Sequence, residues 1–173
     1  MRMISCTQER HSAPILAIFN DAILNSTALY DYKPRTLESI VGWFKVKEQN
    51  RFPVVGVEDD AGELLGFASY GTFRAWPAYK YSVEHSVYIR RDHRGRGLGS
   101  MIMRSLIEEA RKQGYHMMVG GIDVKNEASI RLHTQLGFTP CGIVKQAGFK
   151  FGTWLDLAFY QLIFDTPADP HDD

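Results

Sequence analysis

Apolar residues recur every three or four positions in two early stretches, at Ile15, Ile18, Phe19, Ala22 and Ile23, then at Leu37, Ile40, Val41 and Phe44. A helical period puts each set on one face. The pattern therefore predicts two amphipathic helices, the first capped by Ser12 and the second starting at Thr36. A short strand is expected ahead of them over residues 4–7. Between them, residues 25–35 hold turn formers and two tyrosines but no period, which makes this stretch a candidate substrate-side loop. From Arg51 the chain becomes β-rich: residues 52–58 and 64–70 flank the turn signal Asp59-Asp60-Ala61-Gly62, giving a hairpin. Residues 71–80 break the pattern with Trp76-Pro77, and residues 81–89 form the next strand.

Leu98, Met101, Ile102, Leu106, Ile107 and Ala110 then make the core face of a helix that ends near Gly114. Residues 117–124 read as a strand. Asn126 caps a short helix with Ile130, Leu132 and Leu136 inward and Gly137 just past its end. Residues 139–144 and 154–164 complete the strands, joined by a Gly-rich loop over 145–153. The sum is β-αα-βββ-α-β-α-ββ in one α+β or α/β domain without repeats or a linker. Residues 166–173 carry prolines and acids with little to bury, and a disordered tail is expected there.

The 20 basic and 20 acidic residues cancel, so no global field draws the chain to nucleic acid or an anionic membrane. Cys6 and Cys141 lie far apart without metal-ligand spacing, which argues against a disulfide framework and a metal site. No apolar run approaches the ~20 residues that span a bilayer. A cytoplasmic protein acting on a small molecule is the expectation.

Against this neutral background one basic run stands out, Arg90-Arg91-Asp92-His93-Arg94-Gly95-Arg96-Gly97-Leu98-Gly99-Ser100, where a strand gives way to a helix. Gly95, Gly97 and Gly99 lack the Cβ atoms that would hold a ligand off the backbone, and the helix start aims unpaired N–H groups outward. With four arginines nearby, the run reads as an anion cradle suited to a diphosphate. A Rossmann G-x-G-x-x-G would need glycine where Ser100 stands, and a P-loop would need Gly-Lys-Ser/Thr; neither fits. From these residues alone, a Gly-rich turn with solvated arginines stays open as the alternative.

Arg94-x-x-Gly97-x-Gly99 resembles the coenzyme A pyrophosphate loop of the GCN5-related N-acetyltransferases (GNAT). Asn126-x-x-Ser129-x-x-x-His133-x-x-x-Gly137-Phe138 is similar to that family's late motif. Phe19-Asn20-Asp21-Ala22, Val83-Glu84-His85-Ser86-Val87-Tyr88-Ile89, Arg131-Leu132-His133 and the run from Gly148 to Asp156 resemble its phosphinothricin and methionine sulfoximine N-acetyltransferase branch. The resemblance implies an α/β (α+β) acyl-CoA N-acyltransferase fold over residues 1–165, a mixed, mostly antiparallel sheet of about seven strands flanked by about four helices. It implies acetyl-CoA as co-substrate. Val87, Tyr88 and Ile89 would meet it through backbone groups, Arg94, Gly95, Arg96, Gly97, Leu98, Gly99 and Ser100 through the phosphate turn, and Asn126 and Ser129 at its pantetheine or phosphate portion. Dimers are common in the branch, so a homodimer is expected.

Acetyl transfer from a thioester to an amine needs a neutral amine, a donor for the developing oxyanion and a proton for the leaving sulfur. Glu84 is the candidate base; a solvated strand residue is the plainer reading, and the branch resemblance assigns it the role of proton acceptor. A backbone N–H near Val87 is the natural oxyanion donor. His133 is the candidate acid for the sulfur, with a buried capping histidine as the alternative. An α-amine near pKa ~7.8 costs about 1 kcal/mol to deprotonate at pH 7, against about 4–5 for a lysine-type amine near ~10.4, so a lone carboxylate suits the α-amine of a small amino acid analogue. Arg74 would pair with the acceptor's carboxylate, and Arg74-Ala75-Trp76 would wall its pocket; an exposed arginine beside a packed tryptophan is the alternative. His85 and Ser86 join the acceptor-side candidates as neighbours of Glu84, although His85 should point to the opposite face of a regular strand. Residues 145–156 would close the pocket or form a dimer contact. Another acceptor amine (a protein N-terminus, a polyamine or an aminoglycoside) and a non-catalytic acyl-CoA sensor are the competing functions.

Overall fold

The computed structural model describes residues 1–172. Its strands are β1 (Arg2–Ser5), β2 (Val54–Glu58), β3 (Leu64–Thr72), β4 (Ser82–Ile89), β5 (Met117–Asp123), β6 (Thr139–Lys150) and β7 (Thr153–Ile163). Its helices are α1 (Gln8–Asn25), α2 (Leu37–Gln49), α3 (Leu98–Lys112) and α4 (Glu127–Gln135). The strands form one sheet in the order β1-β2-β3-β4-β5-β7-β6. Pairing is antiparallel for β1 with β2, β2 with β3, β5 with β7 and β6 with β7, and parallel for β4 with β5. This is the expected mixed seven-stranded sheet with four helices.

Contacts divide the chain into two units: Met1–Ser69 with Ser86–Ser105, and Tyr70–His85 with the chain from Leu106 onward. In the first, α1 buries Ile15, Ile18, Phe19 and Ala22 in a cluster with Ile40 and Phe44 of α2, Phe67 of β3 and Tyr88 of β4. Phe19 meets Trp43, Phe67 and Tyr88 at steep ring angles with centroids 5.7, 5.0 and 5.0 Å away, a geometry worth about 0.5–1.5 kcal/mol per pair beyond area burial. The second unit buries Leu106, Ala110, Met118, Phe138, Leu155 and Phe164. Past β7, the Thr166 hydroxyl donates to the Tyr115 carbonyl and the Thr166 carbonyl lies 3.0 Å from His116 Nδ1.

Four local expectations change, and one is that Met101, expected on the core face of α3, is 37% exposed. Ser12 does not cap α1: the helix starts a turn earlier, with Thr7 at the cap position and Ser12 buried inside it, its hydroxyl bonded to the Gln8 carbonyl. The cause is a polar cluster invisible to hydrophobic periodicity. Glu58, 1% exposed, takes Arg2 at 2.9 Å, Arg10 at 3.2 Å and His11 Nε2 at 3.1 Å, so His11 is buried against it at the start of α1 while Gln8, Glu9 and Arg10 stay exposed. Leu37, expected to be inward, is 52% exposed at the first position of α2; Thr36 does cap that helix, accepting from the Ser39 amide. The expected 145–153 loop is instead strand. Its turn is only Phe151-Gly152, with φ of 51° and 73°, the paired positive values of a tight hairpin turn whose twist matches its flanking strands. A register shift between Val144 and Gly148, with Gln146 at φ 51°, absorbs the remaining residues as a bulge.

Candidate active site

The phosphate-type turn follows β4 in the first unit. The Arg90 amide closes the strand on the Leu65 carbonyl at 2.8 Å, and a short helical turn over Arg91–His93 leads to Gly95 and Gly97 at φ of 75° and 78°. Those angles favour glycine, and a Cβ at either position would meet nothing within 4 Å, so the backbone faces open space. The Met101 amide makes the first intrahelical bond, to Gly97, which leaves the Leu98, Gly99 and Ser100 amides ahead of it as helix-start donors. Half of the arginine cluster is occupied by the protein. Arg90 forks to Asp92 at 2.8 Å and to Glu63 at 2.9 Å; Arg94 donates to the Ile89 carbonyl at 3.2 Å and stands 3.6 Å from Asp21. Arg91 and Arg96 are exposed and have no carboxylate partner among the described residues.

Upstream of the turn, Tyr88 is buried in the aromatic core, while Ser86, Val87 and Ile89 are half-buried. Gly66 of β3 lets β4 come close, since a Cβ there would lie 2.8 Å from the Tyr88 carbonyl oxygen. Pairing of β4 with β5 runs only from Ser82–Met117 to Glu84–Val119.

At that last pair the second unit holds its titratable groups. Strand alternation sends Val83 and His85 into the protein and leaves Glu84 open on the other face. The Glu84 carboxylate stands over Gly121: a Cβ at 121 would lie 3.7 Å from Oε1, 3.1 Å from Leu157 Cδ1 and 3.6 Å from the Phe159 ring. This partly desolvated seat raises the carboxyl above the usual carboxylate range, while the Arg74 guanidinium draws it back. Arg74 is exposed with its guanidinium 5.3 Å from the Phe73 ring centroid; Ala75 and Trp76 beside it are exposed, Trp76 at 66%. Trp76 is thus not a packed core residue.

On the inner face, His85 and His133 are 6% and 2% exposed, and their Nε2 atoms are 3.1 Å apart. The ring centroids are 5.0 Å apart, well beyond the nitrogen separation, so nitrogen faces nitrogen; Phe138 packs edge-on to both rings. Asn126 caps α4 by accepting the Ser129 amide at 3.1 Å, and the Ser129 carbonyl lies 2.6 Å from His133 Nδ1. A carbonyl only accepts, so His133 Nδ1 carries the hydrogen. Burial lowers both imidazoles below the ordinary histidine range; His85, which also feels His133, falls furthest, and the Ser129 carbonyl partly offsets the effect at His133. As a neutral ring, His133 presents a lone pair at Nε2 rather than a proton.

Two residues outside the expected set shape this site, Gly120 and Gly121. The signal was present: consecutive glycines within a strand mark close approach of other groups. A Cβ at Gly120 would lie 2.6 Å from His85 Nε2, whereas one at Gly121 would stand in ordinary contact with Glu84 Oε1 at 3.7 Å and press only on the Leu157 tip at 3.1 Å.

The Acetyltransferase (GNAT) family profile matches residues 16–138. The L-methionine sulfoximine/L-methionine sulfone acetyltransferase of Pseudomonas aeruginosa is 48% identical over 151 residues, covering 87% of this chain and 88% of that protein. The phosphinothricin N-acetyltransferase of Streptomyces viridochromogenes is 35% identical over 160 residues, 91% of this chain and 85% of that protein. Among solved structures, a GNAT superfamily phosphinothricin acetyltransferase from Sinorhizobium meliloti in complex with AcCoA superposes with a TM-score of 0.92 at 30% identity, over 98% of this chain and 91% of that one. The turn, the sheet and these likenesses agree: the chain belongs to the GNAT acetyltransferase family.

Proposed function

We propose that this enzyme moves the acetyl group of acetyl-CoA to the α-amine of a small amino acid analogue such as methionine sulfoximine, methionine sulfone or phosphinothricin. The observation that carries the reading is the Glu84 carboxylate, raised by desolvation and opposed by the nearby Arg74 cation. A base and a cation on one open surface match the two ends of an amino acid. Arg74 holds the acceptor's carboxylate and Glu84 takes a proton from its ammonium, directly or through a water. The freed nitrogen attacks the thioester carbonyl, the N–C bond forms and the C–S bond breaks. Charge developing on the oxygen is met by the Val87 backbone N–H. The attacking nitrogen sheds its second proton as the amide forms, which balances the one the departing thiolate takes up, and the first passes from Glu84 to solvent.

The amides of Leu98, Gly99 and Ser100 with the exposed Arg96 fit the pyrophosphate of acetyl-CoA, and Asn126 and Ser129 serve its pantetheine side. Arg94, tied to Ile89 and Asp21, shapes the turn. We take the working form to be a cytoplasmic homodimer. Free Cys6 and Cys141 suit a reducing compartment, and the edge strand β6 with its partner β7 exposes Ile143, Val144, Phe149 and Trp154, apolar surface that a second copy would cover. A polycationic acceptor is disfavoured because Arg74 stands where it would repel one. A thiol-release assay with acetyl-CoA decides: methionine sulfone, methionine sulfoximine and phosphinothricin should turn over while polyamines, an aminoglycoside and a peptide do not. Turnover confined to a polyamine or peptide would overturn the substrate class.

A further inference from the structure

The buried histidines form a donor chain whose order follows from its fixed end. His133 Nδ1–H is bound to the Ser129 carbonyl, so the neutral ring has only a lone pair at Nε2. The 3.1 Å contact between the two Nε2 atoms then requires the hydrogen to sit on His85. His85 Nδ1 is left as an acceptor, buried and without a hydrogen-bond partner among the described residues. The bond lies over Gly120, where a Cβ would come within 2.6 Å of His85 Nε2 and 3.4 Å of His133 Nε2. One hydrogen bond thereby ties β4 to α4 across Gly120 of β5, one residue from Glu84.

We propose that His85 is a positioning residue of the acyl-transfer site: its Nε2–H bond to His133, admitted by Gly120, fixes the strand that presents Glu84 and holds His133 in the Nδ1–H tautomer. The effect on turnover rests on the reading of Glu84 as the base; the tautomer does not. His85 touches no reacting atom. It acts through the backbone, because rotation of residue 85 swings residue 84 on the opposite face.

Long-range ¹⁵N–¹H NMR of the histidines in the wild-type protein at neutral pH reads the chain directly. The expected pattern is hydrogen on Nδ1 of His133 and on Nε2 of His85; hydrogen on Nε2 of His133 would overturn the proposal without any variant having to fold. His85→Leu should lower kcat at least about tenfold with the KM for acetyl-CoA nearly unchanged, whereas His85→Gln, whose amide still donates near the Nε2 position, should restore most of it. Gly120→Ala should act like His85→Leu by displacing the ring. Wild-type kcat in His85→Leu, or equal losses in the Leu and Gln variants, would overturn the positioning role. If Glu84→Gln turned over normally, the base assignment would fall and the kinetic role of His85 with it, while the tautomer result would stand.

Discussion

Gly121 leaves room for the Glu84 carboxylate, since a Cβ at 121 would lie 3.7 Å from Oε1. That is ordinary van der Waals distance, and the tighter 3.1 Å contact is with the flexible tip of Leu157. Gly121→Ala should therefore keep kcat/KM for the acceptor within about threefold, while Gly121→Leu, reaching into the carboxylate's space, should lower it about tenfold or more. Steady-state kinetics on the two variants checks the pair.

Arg74 and Glu84 give a pH prediction with a definite sign. Burial raises the Glu84 carboxyl and Arg74 lowers it, so removing Arg74 raises it further. The base works deprotonated, and kcat/KM must fall as pH falls through its value. In Arg74→Gln the acid limb should move to higher pH, and the acceptor KM should rise as the carboxylate partner is lost. An acid limb that stays put would separate the two residues.

The arginines of the phosphate turn should behave differently from one another. Arg96→Ala removes an exposed cation that has no carboxylate partner among the described residues and should weaken acetyl-CoA binding about three- to tenfold while leaving the acceptor KM unchanged. Arg94→Ala breaks bonds to Ile89 and Asp21 and should lower the melting temperature as well. Calorimetry and thermal melts together distinguish the two.

Stability should depend on Glu58. His11, then Arg2 and Arg10, hold its carboxyl below the ordinary range, so its contribution is complete above the unfolded value of about 4.3 and is lost as pH falls through the lower folded value. Glu58→Gln should melt at a lower temperature at neutral pH, with the gap to wild type closing as acid protonates the Glu58 carboxylate. A gap that widens in acid would contradict the pairing.

Much of this architecture was legible because the residues that build it also carry local signals. Thr36 and Asn126 cap helices through their own side chains, the Asp59–Gly62 turn announces its hairpin, and the glycines at 95 and 97 sit at positive φ where the backbone demands them. Alternation alone sends Glu84 and His85 to opposite faces. The start of α1 was hidden because its first turn, Gln8 to Arg10, is polar and exposed, and the contact of Arg10 with Glu58, 48 residues away, leaves no mark on the apolar period. The β6–β7 hairpin was hidden because its bulge interrupts the two-residue period with small residues, which read as a loop. The His85–His133 bond joins residues 48 apart, and only the sheet brings them together.

The central claim is that Glu84 accepts the acceptor's proton during acetyl transfer. Thiol release from acetyl-CoA with methionine sulfone at neutral pH, wild type against Glu84→Gln, tests it most directly. Glu84→Gln should lose about 10²-fold or more in kcat with the acetyl-CoA dissociation constant unchanged; turnover of Glu84→Gln at the wild-type rate would remove Glu84 as the base.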